Sequence, residues 1–216
     1  MSLSNRLKKD SQSIWERILE HPFVNELCEG TLPANKFKFY VLQDYNYLIA
    51  SIRNFSLLAS KAPSVKSLRG LVEMAAIEAR GEFQGYTKLL EKMDLSIEDA
   101  IESDRIMTEI SYSSFLLSTS NNSFEEGLVA VLPCFWSYAA IAEHHKDKIK
   151  ENPSQLYKDW AFYYLEEDYL ELVNKIKRMV DGLDDKISYD RLSSAFNTSC
   201  QYELMFWDEI YHTIAL

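Results

Sequence analysis

The sequence predicts an all-α protein, a single-domain helical bundle of about seven helices over residues 1–216. Apolar side chains recur at the i, i+3, i+4 and i+7 spacing that places them on one face of a helix, and no segment alternates apolar and polar residues as a strand would. Glycine and proline are scarce, with 6 and 5 residues. No flexible linker, low-complexity tract or internal repeat divides the chain, which favours one bundle.

Helix-breaking segments occur at regular intervals and predict helices of mostly about 20 to 28 residues. The breakers are residues 31–33, 62–64, 94–96, 120–123, 151–153 and 181–184. Two of them contain a capping-box pattern, Ser96 with Asp99 and Ser123 with Glu126, which satisfies free backbone N–H groups where a helix begins. Pro153 is expected in a first helical turn, where its missing N–H is harmless.

The net charge of −10 argues against nucleic acid as a partner, because an acidic surface repels phosphate backbones. Residues 1–10 are polar and predict no secretory signal. The apolar run 128–142 is shorter than the roughly 20 residues of a membrane span, so we expect a helix buried in the protein and no membrane partner. Three widely spaced cysteines fit a reducing cytoplasm better than a disulfide framework.

Two acidic residues occupy the centres of apolar helical stripes. Asp44 lies within the stripe of the second helix, and Glu203 lies within that of the last helix. One interpretation is structural, with each carboxylate satisfied by a neighbouring side chain. The other is functional, since an apolar pocket raises the pKa of a carboxyl group and suits it to proton transfer. Two such carboxylates in one aromatic bundle favour the functional interpretation.

The fifth helix places Cys134 on an apolar face next to Pro133. A buried cysteine is usually a small packing residue. Proline removes a backbone hydrogen bond and kinks a helix, and a kink beside a thiol can widen a pocket. On the sixth helix, Tyr157, Trp160 and Tyr164 share a face, and their polar atoms need partners from protein, water or a ligand.

Several motifs are absent from the sequence. There is no glycine-rich phosphate loop and no Gly-x-Ser-x-Gly elbow. A di-iron bundle normally needs two Glu-x-x-His pairs, and only Glu209 with His212 has that spacing. We therefore predict no metal and no cofactor.

Four separated motifs, in order along the whole chain, resemble the thiaminase II (TenA) family. They are HPFV from His21 with GTLP from Gly30 and FKFYVLQDYNYL from Phe37, LPCFWSY from Leu132, YKDW from Tyr157 with Tyr164, and YELMFWD from Tyr202 with Tyr211. The resemblance implies a haem-oxygenase-like fold, a homotetramer and a role in thiamin salvage. It implies hydrolysis of thiamin, or of 4-amino-5-aminomethyl-2-methylpyrimidine, to the 5-hydroxymethyl compound.

The resemblance also assigns roles to individual residues. Cys134 would attack the pyrimidine ring as a covalent nucleophile, Glu203 would protonate the leaving group and then activate water, and Asp44 would bond to the ring nitrogen and exocyclic amine. The residues expected to position the ring and the cysteine are Tyr47, Tyr112, Tyr138, Tyr164 and Phe206. Which of the adjacent Tyr163 and Tyr164 faces the site, and which leaving group is preferred, stay open.

Two alternatives remain. The first is a haem or non-haem iron protein of the same fold, for which His21 is the candidate early ligand. The second is a regulator that kept the bundle and lost its chemistry. A regulator without catalytic activity should have lost at least one of the three predicted catalytic residues. The chain has all of them at positions on buried helical stripes, namely Cys134, Asp44 and Glu203, which argues against this second alternative.

Overall fold

A computed structural model describes residues 1–184 and 187–213, and every regular element within them is helical. In chain order the helices are α1 (Leu3–Asp10), α2 (Gln12–Leu19), α3 (Pro22–Glu29), α4 (Ala34–Ser60), α5 (Val65–Ile77), a π-helical turn (Glu78–Glu82), α6 (Phe83–Glu91), α7 (Ile97–Glu102), α8 (Met107–Asn122), α9 (Phe124–His144), α10 (Lys146–Glu151), α11 (Gln155–Tyr163), α12 (Glu167–Asp181) and α13 (Tyr189–His212). The prediction of an all-α protein is confirmed.

The prediction of about seven long helices is wrong, because the chain breaks at positions that carry no glycine or proline. Ser11 separates α1 from α2, and His145 separates α9 from α10; both leave the helical region of backbone space. Tertiary hydrogen bonds compensate for the breaks. The Ser11 hydroxyl donates to Asn197, and the His145 ring bonds to the Leu19 carbonyl at 2.8 Å. Such partners are distant in sequence, so local composition does not reveal them.

The predicted helix starts are largely formed. Ser96 and Asp99 make the full capping box at α7. Ser123 accepts a bond from the Glu126 N–H at 3.3 Å and so caps the start of α9. Pro153 differs from expectation: it precedes the N-cap of α11, which is Ser154, and so lies outside the helix.

The chain forms two compact units. The first comprises Met1–Pro33 with Leu128–Thr213, and the second comprises Ala34–Gly127. In the first unit α13 supplies large buried side chains, among them Trp207 and Phe196, which stack on Phe23 and Trp15 respectively. Each fully buried aromatic side chain contributes roughly 2–3 kcal/mol through the hydrophobic effect, so these contacts anchor α13 firmly.

Helix α9 is apolar on nearly all sides and runs through the core of the first unit. By length and composition alone it could cross a membrane, but 72% of its most apolar window is buried inside the protein. That burial is typical of a central core helix. The expectation that this apolar run forms a buried helix is confirmed.

The second unit is organised by α4, a helix of 27 residues that buries side chains on several faces. Two of its buried polar residues are bonded to neighbouring segments: Gln43 donates to the Asp104 carbonyl and accepts from the Ile106 N–H, and Asn46 donates to the Ala100 carbonyl. These bonds attach the segment from α7 to α8 to the middle of α4, on either side of Asp44.

Candidate active site

Helix α9 carries a proline in its interior, and a serine of α13 bonds to the turn that this proline disturbs. Pro133 has no N–H, so the Val129 carbonyl loses its usual helical donor. One residue further on, the Ala130 carbonyl accepts a hydrogen bond of 2.6 Å from the Ser199 hydroxyl. Both residues are fully buried. This bond therefore fixes the turn that leads from Ala130 to Cys134 against α13.

Ser137, almost one turn after Cys134, links the thiol-bearing turn to Glu203. The Ser137 hydroxyl lies 3.3 Å from the Cys134 carbonyl oxygen and 3.4 Å from Glu203 Oε2, so its single hydrogen is shared between two acceptors. Glu203 is 2% exposed. Glu203 follows Ser199 by four residues on α13, and both therefore face α9. The structure thus groups two predicted catalytic residues, Cys134 and Glu203, on turns joined by one hydroxyl.

Cys134 is the only one of the three cysteines that is not fully buried. Burial raises the pKa of the Cys28 thiol to about 12, and burial, followed by the charge of Glu203, raises that of Cys200 still further. A thiol attacks as its thiolate, which a buried apolar environment disfavours. Cys28 and Cys200 are therefore packing residues, and Cys134 is the thiol with exposed surface.

Aromatic rings surround the same part of the first unit. The Tyr138 ring lies 4.9 Å from that of Tyr164, 6.0 Å from that of Trp160 and 5.5 Å from that of Trp207. Tyr164 is buried, whereas the adjacent Tyr163 is half-buried. Tyr164 is thus the member of the pair that packs on Tyr138.

Phe206 completes this aromatic group. It is 6% exposed, and its ring lies 5.9 Å from that of Trp207, edge to face. Five predicted site residues therefore fall in the first unit. They are Cys134, Tyr138, Tyr164, Glu203 and Phe206.

In the second unit, two phenols bind one oxygen of Asp44. The Tyr40 hydroxyl donates to Asp44 Oδ2 at 2.8 Å, and the Tyr86 hydroxyl donates to the same oxygen. The two hydroxyl oxygens are 3.2 Å apart. Burial raises the pKa of Asp44 to about 7, against the opposing effect of the Tyr40 hydrogen bond and with a smaller contribution from the charge of Glu109. Near neutral pH this carboxyl group can therefore donate or accept a proton.

Glu109 on α8 is the nearby acidic group, and it is fully buried. Arg105 forms an ion pair with it, with a second bond of 2.8 Å from Nη2 to Oε1, and the Ser113 hydroxyl donates to Oε1 at 2.8 Å. A buried carboxylate satisfied in this way is a structural element. It also supplies negative charge that keeps Asp44 easy to protonate.

Tyr47 and Tyr112, the remaining predicted ring-binding residues, lie together in the second unit. Their rings are 5.3 Å apart and both side chains are at most 5% exposed. Tyr47 follows Asp44 by three residues on α4, and Tyr112 follows Glu109 by three on α8. They therefore share helix faces with the acidic pair.

The sequence did not single out Ser137, Tyr40 or Tyr86 as site residues. Two of them could have been found from their spacing in the sequence. Ser137 is three residues after Cys134 and Tyr40 is four residues before Asp44, so each shares a helix face with a predicted site residue. Tyr86 is on α6, and its approach to Asp44 depends on how α6 packs, which no local pattern encodes.

The iron alternative loses its candidate ligand in the structure. His21 caps α3 through Nδ1, which accepts from the Phe23 N–H, and its Nε2 bonds to Asp208 at 3.1 Å. Both ring nitrogens are thus engaged. Within residues 1–184 and 187–213, no group of three His, Cys, Asp or Glu side chains has a metal-binding arrangement.

The helical architecture is that of the haem-oxygenase-like proteins. A domain with a heme oxygenase-like fold from Shewanella denitrificans superposes with a TM-score of 0.79 at 15% identity, covering 96% of this chain and 91% of that one. The chain belongs to the TENA/THI-4/PQQC family, whose model matches residues 8–213.

Individual relatives extend over the full length. The TenA homologue protein from P. horikoshii is 43% identical, with a TM-score of 0.94 over 98% of this chain and 99% of that one. The aminopyrimidine aminohydrolase of Helicobacter pylori is 28% identical over 99% of this chain and 100% of its own length. The enzyme of the same name from Halalkalibacterium halodurans is 29% identical over 98% and 96%. The prediction that the chain is a hydrolase is confirmed.

Proposed function

We propose that this protein hydrolyses aminopyrimidines derived from thiamin, releasing 4-amino-5-hydroxymethyl-2-methylpyrimidine for thiamin salvage. The observation that carries the proposal is the grouping of an accessible thiol, Cys134, with a buried carboxyl group, Glu203, through the Ser137 hydroxyl. This pairing provides a nucleophile and a proton carrier, which are the two functions that covalent hydrolysis needs. The names of the full-length relatives support the same substrate class.

The proposed reaction has two halves. In the first, Glu203 takes the proton of the Cys134 thiol, the sulfur bonds to a ring carbon, and the displaced electron pair moves to a ring nitrogen that Asp44 protonates. Glu203 then donates that proton to the amine as its bond to the exocyclic carbon breaks, whereas thiazole departs from thiamin as a neutral molecule and the Glu203 proton passes to solvent.

In the second half, Glu203 accepts a proton from water, whose oxygen bonds to that exocyclic carbon. The ring then expels the Cys134 sulfur, which takes a proton from Glu203, and the ring nitrogen returns its added proton to Asp44. The pKa of about 7 for Asp44 suits this reversible transfer. Flat apolar faces of the kind that hold a heteroaromatic ring are supplied in the first unit by Tyr138, Tyr164 and Phe206, and in the second unit by Tyr47 and Tyr112.

We further propose a cytoplasmic homotetramer. Helix α5 presents an exposed apolar line on one face, with Val65 73%, Leu68 39% and Val72 54% exposed. Exposed apolar lines of this kind usually mark a protein interface. Light scattering of the purified protein measures the assembly mass, and a monomer would refute this part of the proposal.

Product analysis tests the proposed function. Purified protein is incubated separately with thiamin and with 4-amino-5-aminomethyl-2-methylpyrimidine, and the hydroxymethyl product is quantified by chromatography. We expect the same pyrimidine product from at least one substrate, with ammonia released in equal amount from the aminomethyl compound. Absence of that product from both substrates would refute the proposal.

A further inference from the structure

The two oxygens of Asp44 differ in their surroundings. Oδ2 accepts hydrogen bonds from the hydroxyls of both Tyr40 and Tyr86. Among the side chains that the structure describes, none donates to Oδ1. A carboxylate oxygen offers about two lone-pair directions, so the two phenols occupy the full acceptor capacity of Oδ2.

We propose that Tyr40 and Tyr86 are positioning residues, which hold Oδ2 of Asp44 so that Oδ1 alone meets the ring of the substrate. We refer to them as the phenol pair. The inference rests on the proposed function and deepens it. The resemblance assigns Asp44 one contact with the ring nitrogen and one with the exocyclic amine. Because the phenol pair occupies Oδ2, both contacts with the substrate must use Oδ1.

The phenol pair also fixes the orientation of the carboxyl group. Tyr40 belongs to α4, as Asp44 does, whereas Tyr86 belongs to α6. Bonds from two helices remove the rotation about the last side-chain torsion that a free aspartate would have. An acceptor held in place loses less entropy when the ligand binds, which favours affinity.

The charged and titratable groups near Asp44 act in opposite directions. Burial and the charge of Glu109 on α8 raise the pKa of Asp44, and the Tyr40 hydrogen bond lowers it. The Tyr86 hydroxyl donates to the same oxygen, so its bond also favours the ionised carboxyl group. Arg105 pairs with Glu109 and weakens its effect. On the π-helical turn beside α4, the Glu78 carboxyl accepts a bond from Ser51, two turns from Asp44. Removing a phenol therefore moves the Asp44 titration to higher pH.

The test uses Tyr86→Phe and Tyr40→Phe, each of which removes one hydroxyl and keeps the ring. Tyr45→Phe is the matched control, because Tyr45 is a buried tyrosine of α4 whose ring packs on Phe83. Carbon-13 NMR follows the carboxyl titration of Asp44 in the ligand-free protein. Calorimetry then measures the affinity for 4-amino-5-hydroxymethyl-2-methylpyrimidine at the pH optimum of each variant.

We expect each phenol-pair variant to raise the titration midpoint by about one pH unit and to weaken product binding about tenfold, as for a lost bond to a charged group. The Tyr45→Phe protein should match the wild type in both measurements. A midpoint and an affinity that stay at the wild-type values in both phenol-pair variants would overturn the inference. A wild type that binds no product at any pH would instead overturn the proposed function, and the NMR titration would show whether the phenol pair still acts on Asp44.

Discussion

The Ser199 hydroxyl of α13 donates a 2.6 Å hydrogen bond to the Ala130 carbonyl of α9, three residues before Pro133. About two turns further along α9 and one turn further along α13, Ser137 of α9 bonds to Glu203 of α13. The two bonds together fix the turn that carries Cys134 relative to the helix that carries Glu203. Pro133, which would weaken an isolated helix, therefore lies in a turn that these bonds hold in place next to two predicted catalytic side chains.

Ser199→Ala should lower both stability and activity. The substitution removes the second donor of the buried Ala130 carbonyl, which keeps its helical bond from the Cys134 N–H, and this costs about 0.5–1.5 kcal/mol of unfolding free energy. Urea denaturation measures that loss, and we expect kcat/KM to fall about tenfold because Cys134 and Glu203 are less firmly placed. Ser194→Ala, at an exposed position of the same helix, is the control and should change neither quantity. Wild-type stability in Ser199→Ala would show that the bond is dispensable.

Asp44→Asn should stabilise the protein in a pH-dependent way. The pKa of Asp44 is about 7 in the folded protein and near 3.8 when unfolded, so the folded state binds an extra proton between these values. Wild-type stability therefore declines as pH rises from about 4 to about 7, by a few kcal/mol at most, and then levels off. Asparagine does not ionise, so the stability of the variant lacks this pH dependence. The difference in melting temperature between the variant and the wild type should therefore increase as the pH rises from about 4 to about 7. A difference independent of pH would contradict the raised pKa.

The same substitution should weaken product binding. The asparagine side chain would keep an acceptor for the phenol pair but could not take up or release a proton, so affinity for the hydroxymethyl pyrimidine should fall at least about tenfold. Calorimetry at pH 7 measures the affinity of the variant for the hydroxymethyl pyrimidine. An unchanged affinity would remove Asp44 from the ring-binding role.

Much of this arrangement is visible in the sequence, because the helical period and the caps depend on local residues. The apolar stripes place Asp44 and Glu203 on buried faces, and Pro133 marks the disturbed turn beside Cys134. Helix breaks at Ser11 and His145 are not predictable in this way, since their stabilising partners are Asn197 and the Leu19 carbonyl.

The hydrogen-bond partners of the reactive groups depend on packing between helices. A stripe shows that Asp44 is buried but does not show that α6 supplies Tyr86, because any tyrosine on a neighbouring helix fits the same pattern. Ser137 is similar: its spacing from Cys134 is local, but its bond to Glu203 requires α13. The raised pKa of Asp44 comes mainly from burial, which the stripe does indicate, and the smaller contribution from Glu109 depends on how α8 packs.

Glu203→Gln tests the proton-transfer role. Glutamine keeps the size of the side chain but cannot exchange a proton, and such assistance is typically worth about 10² to 10⁴ in rate. A poorly leaving amine needs protonation, whereas thiazole departs as a neutral molecule. With bond cleavage limiting both rates, steady-state assays should show a larger loss on the aminomethyl pyrimidine than on thiamin.

The control for Glu203→Gln is Glu209→Gln, further along α13 and partly exposed, which should retain wild-type rates. Equal losses of Glu203→Gln on both substrates would leave water activation as its one role. Full activity on both would make Glu203 a structural carboxyl group.

The rate of product formation by Cys134→Ser tests the account most directly. Serine packs in the same space but is a much weaker nucleophile at neutral pH. Circular dichroism should show an unchanged helical fold, and Cys28→Ser, at a fully buried thiol, serves as the comparison that keeps turnover. We predict that Cys134→Ser forms hydroxymethyl pyrimidine only at the background rate on either substrate; a folded Cys134→Ser protein with near-wild-type turnover would contradict covalent catalysis by this residue.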